Sequence, residues 1–385
     1  MAVITKILNL LIYLTGRIFI FFIHLKSGRE NKDTLLIIKL DAIGDYVLFR
    51  NFLEIIRSDE KYCNKTITLC GNKLWKDLAE EFDRSFVDEF IWIDKNKFRL
   101  NLFYKYIILN KIYKMGFEIA VDTMYSREIL FGDTIIKASK AVERIGSMSS
   151  ADRNNKTAFF SDRFYTRLIP SSNKNLFEFD RNRDFVSKLL GKQITINKTY
   201  IIMPETKNFP EKSIVIFPGA KDKFRRWNSE NFYRIAKYIL SKTDYHIKIC
   251  GSKNEKEIAD NIFNKLNSEK VENLTGSSSL VELVSIINNA DLLISNETVA
   301  PHIAAAVDTE FICISNGNHW GRFNPYPKEI FQKAVYFYPD EIMKNITNCT
   351  FLSDKYQFGS DLDIDSIKVE SVIKEIEVIL EKRGI

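Results

Sequence analysis

The chain has 385 residues, 45% of them hydrophobic, with 56 Lys and Arg against 50 Asp and Glu for a net charge of +6. That length is too great for one ordinary core and suits two domains, while the composition excludes a disordered tail or scaffold. The modest positive charge fits anionic substrates or an anionic membrane surface, but the basic residues are spread along the chain, unlike those of a nucleic-acid binder.

Residues 7–25 form an apolar run long enough to span a bilayer. At about 100° per residue, Lys6, Asn9, Tyr13, Arg17 and His24 fall on one narrow stripe of a helix. A spanning helix would put Arg17 near mid-bilayer at a cost of roughly 3 kcal/mol, whereas a helix in the membrane plane leaves the stripe among the headgroups. Three readings of residues 1–30 follow: an interfacial anchor, a spanning anchor, or a helix docked on protein. A cleaved signal peptide is disfavoured, because a charged linker, "HLKSGRENKD", stands where a small-residue cleavage site would be.

After the linker, β-rich runs at 35–40, 66–70, 90–93, 117–121 and 142–145 alternate with helical stretches such as 46–57 and 102–114. This predicts a parallel sheet covered by helices. Residues 150–212 are less regular, with a polar helix near 177–190 and Pro170, Pro204 and Pro210 as punctuation, and they read as the interdomain connection. Alternation restarts with strands at 214–217, 246–250, 291–295 and 311–314 and helices at 231–240, 255–266, 280–288 and 300–306. An amphipathic helix at 366–380 closes the chain. Five scattered cysteines (Cys63, Cys70, Cys250, Cys313, Cys349) show no CxxC spacing, which fits a reducing compartment without a zinc site.

In such α/β halves ligands bind where strand C-termini meet helix N-termini. Four turns of this kind carry candidate chemistry. In "IIKLDAIGDYVLFR", Asp41 and Asp45 flank Gly44, which would make a tight bend, and Asp45 stands at or near a helix N-cap. In "VIFPGAKDKFRRW", Gly219 and the guanidinium groups of Arg225 and Arg226 suit a diphosphate, although a solvated basic loop reads almost equally well. In "DLLISNETVAPHIAAAV", a buried strand ends in Asn296, Glu297 and Thr298, and His302 stands in the first turn of a small-residue helix whose N-terminus attracts phosphate. The fourth, "GNHWGRFNPYP", is either a ligand loop or a rigid surface turn.

Together these stretches resemble glycosyltransferase family 9, the ADP-heptose:lipopolysaccharide heptosyltransferases. The residues that carry the resemblance are Lys39 to Asp45, Pro218-Gly219-Ala220 with Arg225-Arg226-Trp227, and Glu297-Thr298-Val299-Ala300-Pro301-His302-Ile303-Ala304-Ala305. The resemblance implies a GT-B fold, two Rossmann-like domains facing a central cleft, here preceded by an N-terminal apolar amphipathic helix. Its domains would be an acceptor domain at 31–205 and a donor domain at 206–360, with a C-terminal helix at 361–385. It implies Asp45 as the catalytic base, Asp41, Gly44 and Asp122 on the acceptor side, and Gly219, Arg225, Glu255, Glu297, Thr298 and His302 on the donor. It implies a nucleotide sugar such as ADP-heptose as substrate, a glycan or lipid-linked acceptor, no metal or other cofactor, and a place on the cytoplasmic face of the membrane. Two stretches depart from the family pattern: Glu297-Thr298-Val299 stands where many members have Asp-Thr-Gly, and the "GNHWGRFNPYP" loop differs from the heptosyltransferases best matched elsewhere.

Other readings have less behind them. A dinucleotide oxidoreductase would need GxGxxG, and a P-loop enzyme GxxxxGK[ST]; both are absent. The Asp361-Leu362-Asp363 and Asp363-Ile364-Asp365 triplets of a metal-dependent transferase lie just before the last helix, where capping acids belong. A non-catalytic sugar-nucleotide or glycan-binding relative is the remaining alternative.

Overall fold

The computed structural model describes residues 2–26, 32–148, 160–203 and 212–384. Backbone contacts divide the chain into two units, Met1–Lys174 with Phe179–Ile196, and Asn175–Glu178 with Asn197–Ile385. The expected boundary at 205/206, with Pro204 and Pro210, lies outside the described residues.

The first unit is built on a parallel sheet of β1 (Thr34–Lys39), β2 (Thr66–Asn72), β3 (Glu89–Ile93), β4 (Ile119–Asp122), β5 (Glu143–Ser147) and β6 (Arg167–Ile169), in the order β3-β2-β1-β4-β5-β6. β1 is central because it is apolar on both faces: Leu35 to Ile38 are all buried, and Ile38 pairs with Cys70 on one side and Asp122 on the other. β6 falls in the stretch read as irregular; at three residues it is too short to show a period.

The single helix expected at 46–57 is two, α2 (Ile43–Val47) and α3 (Asn51–Arg57). Tyr46 and Arg50 both reach the buried Asp83, Tyr46 Oη at 2.6 Å and Arg50 Nη2 at 2.7 Å. Between the helices the amides of Phe49 and Arg50 share the Tyr46 carbonyl, which tightens the turn and breaks the α-helical run.

The N-terminal segment forms α1 (Ala2–His24), and its Ile4–His24 stretch is long and apolar enough to cross a membrane by length and composition. It packs on α6 (Leu102–Met115) and α7 (Gly132–Ser139), and Ile20 and Ile23 enter the core of the unit. This corrects the orientation expected from the polar stripe. Asn9, Arg17 and His24 turn towards the protein, and the apolar side of the helix faces outward.

The second unit repeats the plan with β7 (Ser213–Phe217), β8 (His246–Ile249), β9 (Val271–Asn273), β10 (Leu292–Asn296), β11 (Phe311–Ile314) and β12 (Ala334–Phe337), all parallel in the order β12-β11-β10-β7-β8-β9. The helix Val369–Lys382 is part of this core and not a separate appendage. Its Val372, Ile376 and Ile379 pack among Ile235, Ile239 and Trp227. Asp363 caps the short turn before it by accepting from the Asp365 amide at 3.0 Å, and Asp365 accepts from the Asn228 amide at 2.8 Å, so both acids serve helix N-termini.

Candidate active site

In the first unit the chemistry gathers past the end of β1. Asp41 pairs with the fully buried Lys39 at 2.9 Å, and its carbonyl accepts from Trp75 Nε1 at 3.2 Å and Asn72 Nδ2 at 3.1 Å. The rigid turn so formed launches α2. Tyr46 locks that helix from below, stacked on Trp75 at 3.8 Å and bonded to Asp83. Asp45, half-buried, stands in the first turn of α2, where the helix dipole favours a carboxylate.

Two local expectations are corrected here. The helix is capped by Ala42 without a side-chain bond, which leaves Asp45 near the N-cap as expected, but Gly44 lies inside α2 and not at a bend. Asp122 does not reach the surface at all. It is fully buried beside Gly132 and takes bonds from Tyr165 Oη and the Met124 amide, both at 3.1 Å. Burial, with Asp133 nearby, pushes its carboxyl up to about 8, as for an acid held neutral in a core.

In the second unit three strand ends converge. The β10 end is tied to the β7 end by Asn296, whose Nδ2 donates to the Pro218 carbonyl at 2.7 Å and whose Oδ1 accepts from the Trp227 amide at 3.1 Å. Glu297, buried, receives Arg225 Nη2 on its carbonyl at 2.7 Å and on Oε1 at 3.0 Å. From the β11 end, Ser315 Oγ donates to Glu297 Oε2 at 2.5 Å. Arg225 is thereby held across the turn, with its Nε buried and without a partner among the described residues.

Thr298 caps the helix Val299–Ala306, its Oγ1 accepting from the Ala300 amide at 3.2 Å, so its hydroxyl already serves one N–H of that helix. His302 is buried one turn on, its Nδ1 2.8 Å from Tyr326 Oη. Glu255 lies against Gly219, where a Cβ would stand 2.1 Å from Glu255 Cδ, and its Oε2 accepts from the Ser252 amide at 2.6 Å. Any side chain at 219 would therefore displace Glu255.

The "GNHWGRFNPYP" loop is held to the second unit by its own contacts. Gly317, His319 and Gly321 all have positive φ; Trp320 packs on Tyr338 at 4.7 Å and Arg322 pairs with Glu178 at 2.8 Å. Asn296, Ser315 and Tyr326 complete this constellation, and of the three only Asn296 was singled out in the sequence. For the first two the signal was there: each is a polar residue closing an otherwise apolar strand.

Burial, with the Arg225 charge beside it, pushes His302 down to about 4, so the imidazole is neutral at neutral pH. The unfolded chain binds this proton more tightly. The contribution to stability is therefore full above the ordinary histidine value of about 6.5 and is lost as pH falls towards 4. A diphosphate bound at this turn brings negative charge and raises the pKa again. ADP binding at about pH 5.5 is thus expected to take up protons, seen as calorimetric enthalpies that vary with the ionisation enthalpy of the buffer. Enthalpies equal in all buffers would separate the anion from His302.

Two parallel six-stranded sheets with ligand-type turns at their strand ends define the class, a GT-B fold. Solved structures share it: the glycosyl transferase family 9 protein from Veillonella parvula superposes with a TM-score of 0.69 at 17% identity, over 93% of this chain and 100% of that one. E. coli heptosyltransferase WaaC with ADP does so with a TM-score of 0.69 at 14% identity, over 90% and 99%. Residues 178–341 match the sequence model of glycosyltransferase family 9 (heptosyltransferase). Over 120 residues the chain is 26% identical to lipopolysaccharide heptosyltransferase 3 of Escherichia coli K12, covering 31% of this chain and 35% of that one. Over 115 residues it is 29% identical to lipooligosaccharide heptosyltransferase 2 of Haemophilus influenzae, covering 29% and 33%. The chain thus spans about a third of the length of the curated relatives it matches. Over residues 178–341 the chain is thus similar to family 9, the heptosyltransferases, which is the resemblance that the motifs at Gly219 and His302 imply.

Proposed function

We propose that the chain is an inverting, metal-independent glycosyltransferase that moves heptose or a related sugar from a nucleotide-sugar donor to a glycan or lipopolysaccharide acceptor. The observation that carries this reading is the gathering of Arg225, Glu297 and His302 with the Gly219 backbone at strand and helix termini, where an anion is stabilised without a cation from solution. Arg225 and the start of Val299–Ala306 hold the diphosphate. Glu255 takes the nucleoside ribose, and Gly219 keeps the backbone open beside it. Asp45, with Asp41 and Gly44 on its turn, meets the acceptor.

In the transfer, the acceptor hydroxyl oxygen attacks the anomeric carbon and its proton passes to Asp45. The bond from that carbon to the diphosphate oxygen breaks, and the electron pair leaves with the diphosphate, where Arg225 offsets the developing charge. One displacement inverts the anomeric centre. The protein works at the cytoplasmic face of the membrane, in peripheral contact with it.

The test is to incubate the purified protein with ADP-heptose and a lipopolysaccharide-core acceptor, with and without chelator. An inverted glycoside formed at the same rate in both is expected. Binding of the donor with neither hydrolysis nor transfer would make the chain a binding protein, and loss of turnover in chelator would remove metal independence.

A further inference from the structure

α1 is seated the opposite way round from an ordinary surface helix. Along its inner side, Asn9 accepts from Arg99 Nη2 at 2.8 Å, the Arg17 guanidinium lies 5.1 Å from the Phe164 ring centre, and His24 meets the Ala138 carbonyl at 3.3 Å. At its end Lys26 donates to Tyr106 Oη at 2.6 Å.

The outer side is apolar and open: Leu11 is 54% exposed, Ile18 52%, Phe21 62% and Phe22 57%. It does not stop at α1. Tyr106, which meets Phe19 of α1 at 5.6 Å, and Asn110, bonded to Lys26 just past its end, lie three residues from Phe103 and Ile107 on α6, and three residues apart on a helix means the same face. Phe103 is 73% exposed, and Leu100, at the end of α5 (Lys95–Leu100), is 64% exposed. A continuous apolar face of two helices exceeds what a soluble monomer ordinarily leaves bare.

We propose that this composite face, the outer side of α1 together with Leu100, Phe103 and Ile107, lies flat on an anionic bilayer while α1 stays seated on the protein. The proposal deepens the membrane contact proposed above by assigning its surface. Charge selects the occupant. Residues 2–26 and 95–117 contain no Asp or Glu, and Lys6, Lys26, Lys97, Lys111 and Lys114 are exposed on these elements. Such a face suits lipid phosphate, and in a two-fold contact with a second copy it would meet its own charge. A spanning helix would give up every contact from Asn9 to Lys26, whereas an in-plane one keeps them all.

The experiment uses the full chain and vesicles of equal parts phosphatidylglycerol and phosphatidylcholine, against phosphatidylcholine alone. Wild-type protein is expected to co-sediment at least about ten-fold better with the anionic vesicles and to be released by alkaline carbonate. The pairs Phe21→Ser with Phe22→Ser, and Leu100→Ser with Phe103→Ser, are each expected to lower partitioning about ten-fold or more with the melting temperature unchanged, since all four side chains are exposed. Full binding by the α5–α6 pair, with loss only in the α1 pair, would overturn the composite surface and leave α1 as a simple anchor. Extraction by detergent alone would make α1 a spanning helix. A lipid-free dimer broken by either pair would give the face to a second copy. No binding to vesicles of either kind would remove the membrane contact itself.

Discussion

Asp45→Asn is expected to lower turnover by about 10²- to 10⁴-fold while leaving the affinity for ADP nearly unchanged. The side chain stands in the first turn of α2, on a backbone fixed by the Lys39–Asp41 pair and by bonds from Asn72 and Trp75. These bonds hold the backbone of the turn, and the amide has the size and shape of the carboxylate it replaces. What the amide cannot do is accept the hydroxyl proton. The residues proposed to hold the donor belong to the second unit. Single-turnover rates and calorimetric ADP affinity from one preparation make the measurement, and an unchanged rate would remove Asp45 as the base.

The second large effect belongs to Arg225. Its replacement by Ala is expected to weaken diphosphate binding by about 1.5–3 kcal/mol, the range of a hydrogen bond to a charged group. The same change leaves Glu297, 3% exposed, without its cation, and breaking such a pair costs about 3–5 kcal/mol when both partners are buried. Because the Arg225 side chain is 19% exposed, the stability loss should fall below that range. The two consequences separate in a double variant: adding Glu297→Gln should restore the melting temperature but not the affinity. If Arg225→Ala binds ADP as tightly as the wild type, the diphosphate is held elsewhere.

The central strands were legible because burial on both faces gives an unbroken apolar run, as at Leu35 to Ile38 or Leu292 to Ile294. Of the edge strands β3 was read at 90–93, but β9 and β6 were not: they read Val-Glu-Asn and Arg-Leu-Ile, too short for a period and supported by one neighbour each. The break at Phe49 depends on Asp83, whose contacts with Tyr46 and Arg50 span 37 and 33 residues. No local pattern contains that. Asp122 was misplaced for the same reason, since the Tyr165 hydroxyl that meets it comes 43 residues later. The stripe on α1 was found, but its direction was inverted. Amphipathicity tells which residues share a side and not whether water or protein faces it. By contrast the turns that carry Gly219, Arg225 and His302 could be located, because glycine, guanidinium and small residues are concentrated there over a few positions, within reach of local inspection.

Chain order adds a matter of timing to the seating of α1. Asn9 finds Arg99 across 90 residues and His24 finds Ala138 across 114, so the polar side of the segment has no seat until the chain has been made past α7. Translation at roughly 5–20 residues per second makes that delay several seconds or more. During it nothing of its own protein holds the nascent segment, and its apolar side is free to meet lipid. A lipid surface near the ribosome meets no intramolecular competitor in that interval, and capture at the membrane can precede the folding of the domain that later holds the helix in place.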